Sequence, residues 1–211
     1  MWSERSMNRP VLFLISAPSG GGKTTVCGAL LAANPGLKRV ITCTTRPPRA
    51  GEVNGVDYHF FEPAEFDRRV AAGEFLEHAR VYEKSYGTLK SSVTDLLASG
   101  SDVLLNIDVQ GAASVRRVVA GDPVLAAALV TVFLTPSTRA ELERRLRGRG
   151  ADAEDAIARR MTEAAVEIAR WGEFDYLVVS GSQADDARRM QSIYEAERLR
   201  TDRAGFHWKE S

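Results

Sequence analysis

The chain has 211 residues, 44% of them hydrophobic and 27% charged, a balance that fits one ordered domain of roughly 100 to 200 residues carrying small insertions. Its 28 Lys plus Arg against 28 Asp plus Glu leave no net charge, so no global field draws in nucleic acid or an anionic membrane, and any polyanion must be met by a local cluster. The longest nearly continuous apolar run, residues 124–134, is shorter than the roughly 17 to 25 residues of a spanning helix, which excludes a transmembrane role.

Residues 1–9 show no periodicity, and Met7 is an expected native start. Arg5 and Arg9 before Val11–Ile15 have the outline of a secretory leader, but the run leads into Gly-Gly-Gly-Lys instead of a small-residue cleavage site, so a cytoplasmic location is expected. Four short apolar runs predict buried strands: Val11–Ile15, Val103–Ile107, Leu129–Leu134 and Tyr176–Val179. Helical patterns lie between them, with Val26, Leu30 and Leu31 after the first and Ile157, Met161, Ala165 and Ile168 before the last. Runs apolar on both faces and alternating with helices predict a parallel sheet covered on both sides, with ligands at the strand C-terminal ends.

The stretch from Ile41 to Ser99 has a different texture, with a Pro47-Pro48 turn, Gly51 and Gly55, and an alternating Tyr58-His59-Phe60-Phe61 run. It reads as an inserted subdomain closed by a helix presenting Leu89, Val93, Leu96 and Leu97 on one face. After Leu134, the Thr138-Arg139-Ala140-Glu141 spacing is that of a capping box and starts a helix that Gly148 and Gly150 end; the next helix starts near Asp152. Cys27 and Cys43 have neither CxxC nor His-cluster spacing and read as two buried thiols.

The first strand runs into Ala17-Pro18-Ser19-Gly20-Gly21-Gly22-Lys23-Thr24, with Thr25 next. A strand, a glycine-rich turn and a helix start gather unpaired backbone N–H groups around a phosphate, with Lys23 reaching the β/γ-phosphates and Thr24 ligating Mg²⁺. Ala17 stands where the pattern usually begins with Gly, a methyl that a backbone-lined turn tolerates at negative φ. The motif predicts nucleoside triphosphate binding and leaves the reaction open.

Arg144-Arg145-Leu146-Arg147-Gly148-Arg149 gathers four guanidinium groups at a helix end, with Arg159 and Arg160 one helix away. A salt-bridged solvated face explains such a run by itself; beside a P-loop, the same arginines could stabilise charge on a phosphoryl group in transit, as part of a mobile lid. In Thr44-Thr45-Arg46-Pro47-Pro48-Arg49 two arginines stand three apart on a stiffened turn suited to clamping a second phosphate, with Tyr58 and Tyr86 as hydroxyl donors. Glu77 is a carboxylate among apolar residues, an acceptor-only group that suits the adjacent N1 and N2 donors of guanine; by spacing alone it could equally be an exposed residue. Asp108, at the end of the second strand, is the expected Mg²⁺ carboxylate or, in the plainer reading, a helix N-terminal cap. His59, His78 and His207 lack ligand spacing, and the scattered Trp2, Trp171 and Trp208 form no base-stacking platform.

Taken in order, these segments, together with Gly51-Glu52-Val53-Asn54-Gly55-Val56-Asp57-Tyr58, Phe75-Leu76-Glu77-His78, Tyr86-Gly87-Thr88, Ile107-Asp108, Arg145-Leu146-Arg147-Gly148-Arg149-Gly150 and Phe174-Asp175-Tyr176, resemble the guanylate kinase family of the bacterial type over nearly the whole chain. The resemblance implies a P-loop three-layer α/β/α fold with a parallel core sheet (about 8–40, 97–135 and 161–211), an inserted mixed α/β GMP-binding subdomain (about 41–96) and a helical lid (about 136–160). It implies transfer of the ATP γ-phosphoryl to GMP, or dGMP, with Mg²⁺, giving ADP and GDP, and no nucleic acid or membrane partner; it assigns no oligomeric state. Residue by residue, it puts the GMP phosphate on Arg46, Arg49, Tyr58 and Tyr86, and guanine on Thr42, Glu77 and Thr88. Asn106 and Asp108 fall at the GMP and Mg²⁺ contacts, residues 17–25 at the ATP phosphates, and Arg145, Arg149 and Arg160 on the lid.

Three departures from the family pattern stand out, of which Ala17 is familiar in bacterial members. Asn106 occupies a commonly acidic position, and Ser180-Gly181 replaces a frequent Asn-Asp pair near adenine, leaving that contact looser or made by backbone. A non-catalytic binding module of the same fold, or a P-loop kinase for another monophosphate or a sugar phosphate, are the competing expectations. Because Asp108 remains, Asn106→Asp is expected to keep GMP turnover within a few-fold in a coupled assay; a large gain with much tighter Mg²⁺ dependence would contradict this.

Overall fold

The computed structural model describes residues 9–81, 83–148 and 154–205; Met7, Arg149, Gly150, Asp152 and His207 lie outside them. The core is a five-stranded all-parallel sheet in the order β2-β7-β1-β8-β9, formed by β1 (Leu12–Ser16), β2 (Leu37–Arg39), β7 (Asp102–Asn106), β8 (Leu129–Pro136) and β9 (Tyr176–Ser180). Every residue of β1 is buried, as a central strand covered on both faces requires. Val11, Phe13 and Ile15 face one layer, where Val26 and Leu30 of α1 (Lys23–Ala33) and Met190 and Tyr194 of α8 (Gln183–Arg198) pack on them. Leu12 and Leu14 face the other layer, built by α3 (Lys90–Ala98), α4 (Val109–Val119) and α5 (Pro123–Ala128). The fold is therefore the expected three-layer α/β/α arrangement.

Four particulars differ from the sequence reading. β2 is an unforeseen fifth strand, because only Leu37 of its three residues is buried and no alternation announces it. Before the predicted strand at Leu129, residues Pro123–Ala128 form an unforeseen helix, since Asp122 caps the N–H groups of Val124 and Leu125 and Pro123 sets the first helical turn. Leu89 does not share the face of Val93 and Leu97: it ends β6 (Lys84–Leu89) and packs in the inserted unit, whereas α3 lies on the core sheet. The buried stripe of α7 (Glu154–Ile168) passes through Ala164, and Ala165 is exposed.

The inserted unit is a second, four-stranded sheet, β4-β3-β6-β5, made of β3 (Cys43–Thr44), β4 (His59–Phe60), β5 (Phe75–Val81) and β6. The α2 helix (Pro63–Ala71) covers it, with Phe66 stacked on Phe75 at 4.5 Å between centroids. A third element, α6 (Arg139–Arg147) with α7, has its own small core of Leu142, Leu146, Ile157, Met161 and Ala164. Thr138 caps α6, its hydroxyl accepting from the Glu141 N–H at 3.1 Å, as the capping-box spacing predicts.

At the sheet end opposite the strand C-termini, buried Asp102 ties three elements together: its carboxylate accepts from the Val11 N–H at 2.8 Å and the Tyr194 hydroxyl at 2.5 Å, with Arg198 at 3.3 Å. Removing it leaves a buried N–H and a hydroxyl without a partner. Asp102→Ala is therefore expected to lower stability by about 2 to 4 kcal/mol, read from the urea midpoint, with turnover per folded molecule unchanged.

Candidate functional site

Between β1 and α1, Gly20 and Gly22 adopt φ of +84° and +97°, and the Gly21 N–H donates to the Pro18 carbonyl at 2.9 Å. These left-handed steps, open to glycine, wrap residues 17–22 around the N-terminal end of α1, whose first-turn amides and dipole favour an anion. A Cβ at Gly21 would lie 2.7 Å from the Ala17 Cβ and 2.9 Å from the Pro18 carbonyl oxygen. The methyl of Ala17 is thus accommodated because position 21 has none. The Lys23 ammonium donates to the Ala17 carbonyl at 2.6 Å, lying across the loop, and Thr24 and Thr25 present exposed hydroxyls on the first turn of the helix.

The pairing of β1 with β7 puts Ile15 beside Asn106, so the P-loop and the residues after β7 share one edge of the sheet. Asn106 and Asp108 are exposed there. Asp108 caps α4, one carboxylate oxygen accepting from the Gly111 N–H at 2.7 Å. The plainer reading of Asp108 is thereby correct, and it leaves the second oxygen available to a ligand. Thr24, Thr42, Tyr58 and Asn106 line one cleft of about 400 Å³ between α1, the end of β7 and the second sheet.

On the second sheet, Glu77 of β5 is 8% exposed, which excludes the surface-residue alternative. The Thr88 hydroxyl on β6 donates to it at 2.7 Å. Its other oxygen lies 3.3 Å from where a Cβ on Gly111 would stand, beside the Asp108 carboxylate at the same distance. Burial is the main force raising the Glu77 pKa above the usual carboxylate range, with Asp108 adding to it and the Thr88 hydrogen bond opposing it. Arg46 donates to Glu52 at 2.8 Å and to the Pro47 carbonyl at 2.8 Å, and its guanidinium lies 5.5 Å from the Tyr58 ring. Tyr58 and Tyr86 meet edge to face at 6.5 Å. Glu52 also accepts from the Arg49 N–H at 2.7 Å, while Arg49 itself is exposed. Hydrogen bonding to Arg46 holds Glu52 below its ordinary pKa, and the same bond raises that of Arg46.

The arginine run separates into two kinds. Arg144 forks onto Glu141 at 2.8 Å and Arg147 pairs with Glu143 and Glu154, solvated ion pairs as a polar helix face would have. Arg145 instead turns toward the P-loop: one of its terminal nitrogens is 3.6 Å from where a Cβ on Gly22 would lie, while its Nε donates to Glu141 at 2.7 Å. Leu146 and Leu142 seat α6 directly on the loop, 2.9 and 3.2 Å from the Cβ position of Gly20. Arg160 lies half-buried on α7. The residues around the site that the sequence does not single out are Glu52, Asp186 and Glu167, whose carboxylate accepts from the Ser19 N–H at 3.3 Å. Glu167 stands seven residues after Arg160 and so on the same helix face, a spacing that could have singled it out.

Among the described residues no group of three or more His, Cys, Asp and Glu side chains could hold a metal ion alone. The donors at the loop are hard oxygens, the Thr24 hydroxyl, the second Asp108 oxygen and the Asn106 amide, a set that fits Mg²⁺ completed by water and phosphate oxygens. Cys27 and Cys43 are buried free thiols, and burial pushes both pKa values up to about 12, which leaves them inert. His59 stacks on Phe61 and His78 is exposed on β5; neither belongs to the cleft.

The model of the family described as "Guanylate kinase" matches residues 7–197. Guanylate kinases of Paramagnetospirillum magneticum and Methylococcus capsulatus are 43% and 44% identical to the chain, covering 92% and 93% of it and 88% and 93% of their own lengths. That of Nitrosococcus oceani is 46% identical over 89% of each. The crystal structure of guanylate kinase from Anaplasma phagocytophilum superposes with a TM-score of 0.71 at 30% identity, covering 94% of this chain and 92% of that one. Agreement across so much of the sequence, and a matching fold, makes the chain a member of the guanylate kinase family.

Proposed function

We propose that the chain transfers the γ-phosphoryl of ATP to GMP, giving ADP and GDP, with the P-loop seating the donor and the second sheet seating the acceptor. The observation that carries this is Glu77, a buried acceptor-only carboxylate on the second sheet, braced by Thr88 and lying beside Asp108 at the start of α4. Guanine offers N1–H and N2–H as adjacent donors to such a group, and adenine offers no such pair. Thr42 and Thr88 frame the base, and Arg46, Arg49, Tyr58 and Tyr86 surround the 5′-phosphate.

Lys23 and the amides of residues 18–25 hold the donor phosphates. Mg²⁺, when bound with ATP through Thr24 and Asp108, offsets charge between the phosphates. Arg145, Arg149 and Arg160 move in with α6 and α7 and meet the charge that spreads over the transferred group; Arg149 lies outside the described residues. No general base is required, because the GMP phosphate is already an anionic nucleophile and the protein's contribution is position and charge. Closing the second sheet and the α6–α7 lid over the cleft excludes water and so protects ATP from hydrolysis. dGMP fits the same reading, since the residues assigned to the acceptor address base and phosphate. The retained Lys23, Thr24 and Arg145 favour catalysis over a binding-only module.

A nucleotide panel tests the acceptor: GMP and dGMP are expected to turn over, and AMP, CMP and UMP to lag by about a hundredfold or more; preference for a non-guanine acceptor would overturn the proposal. Glu77→Ala and Arg46→Ala are expected to lower kcat/KM for GMP by on the order of a hundredfold or more each, with ATP binding retained. The raised pKa of Glu77 carries a sign. Its proton is held to higher pH than in the unfolded chain, so that contribution to stability is present at low pH and is lost as pH rises through the folded value. GMP needs the ionised form, so KM for GMP is expected to rise on acidification while pH is still above the usual carboxylate range, a limb that Glu77→Gln removes.

A further inference from the structure

At the donor end, a cleft of about 490 Å³ between the P-loop, α6 and the start of α8 is lined by Gly22, Thr25, Glu141, Arg145, Gly181 and Asp186. The Arg145 terminal nitrogen donates to the Ser180 hydroxyl at 3.0 Å, and that hydroxyl donates in turn to the Asp186 carboxylate at 2.5 Å. Asp186 is completed by the Gly181 N–H at 2.8 Å. Ser180 and Asp186 are both 5% exposed. The proton order in this chain is forced, since guanidinium can only donate and carboxylate can only accept, so the hydroxyl hydrogen goes to Asp186 and its lone pair to Arg145.

Glu141, the other partner of Arg145, sits on α6 itself and moves with it, so it cannot fix the arginine relative to the P-loop. Ser180 can, because it ends β9 in the core sheet. We propose that Ser180, oriented by Asp186, is a positioning residue that seats Arg145 over the P-loop, so that Ser180 acts on phosphoryl transfer through the lid arginine and is not an adenine contact. The resemblance puts Ser180-Gly181 near adenine, with that contact looser or made by backbone; the hydroxyl's one hydrogen instead goes to Asp186 and a lone pair to Arg145, on a side chain that is almost wholly buried. The inference rests on the role given to Arg145 above.

A double-mutant cycle on the full chain separates the two. Ser180→Ala is expected to lower kcat about tenfold with KM for GMP changed less than twofold, and to change kcat less than twofold in an Arg145→Ala background. Asp186→Asn, which keeps the shape but no longer compels the hydroxyl's direction, is expected to fall between wild type and Ser180→Ala, and Ser180→Thr to restore most of kcat. Thermal melts of each variant normalise turnover to folded protein, and the ratio between backgrounds does not depend on the folded fraction once normalised. Equal losses from Ser180→Ala with and without Arg145 would overturn the coupling while leaving Arg145 in its role. An Arg145→Ala variant with wild-type kcat would overturn the role of Arg145 itself, and the positioning proposal with it.

Discussion

The hydrogen-bonded register of β1 with β7 is the constraint on which the chemistry depends. Because Leu12 pairs with Val103 and Ile15 with Asn106, the loop that leaves β1 and the carboxylate that follows β7 emerge side by side at one edge of a buried sheet. A parallel pair cannot slip by one residue here without turning Leu12 and Leu14 into the layer built for Phe13 and Ile15. Apolar burial far below the cleft therefore fixes how far Asp108 stands from Thr24, although neither residue takes part in that packing. The helices follow from the same edge: α1 and α4 each begin beyond the C-terminal end of one of two adjacent strands.

The two small units on either side of that edge solve one electrostatic problem in different ways. Each must keep groups ready for a charged ligand without exposing bare charge. The second sheet buries a single carboxylate, Glu77, and accepts the cost by letting its pKa rise and bracing it with a hydroxyl. The helical unit keeps Arg145 paired, on Glu141 and Ser180, and its apolar seam of Leu142 and Leu146 rests on the side-chain-free face of Gly20. A glycine at that position serves the loop's conformation and the helix's seat together, so one residue answers to two neighbours.

The sequence was most informative where local chemistry is self-sufficient. The four main strands, the glycine-rich loop and the Thr138 cap need only their own neighbours to be recognised, and the structure has them where the sequence reading puts them. It was least informative where a role depends on what the fold brings alongside. Spacing alone left Glu77 equally an exposed residue until β6 and α4 enclose it, and nothing within three residues of Ser180 foretells that Asp186 and Arg145 meet on its hydroxyl. β2 escaped notice because an edge strand of three residues with two exposed side chains carries almost no pattern. The arginine run could not be divided by spacing, since Arg144 and Arg145 are adjacent and only the direction of approach to the loop tells a surface pair from a lid contact.

The pairing of Arg46 with Glu52 and of Arg145 with Glu141 also bears on how nucleotides arrive. A chain with equal numbers of acidic and basic side chains offers little long-range attraction, and Arg46 and Arg145, proposed above to meet phosphates, are already shared with carboxylates. On those proposed roles, capture is a swap of anionic partners at close range, in which Glu52 and Glu141 regain water as a phosphate takes their place. Encounter rates governed by such a swap vary weakly with ionic strength, because no steering field exists for dissolved salt to screen.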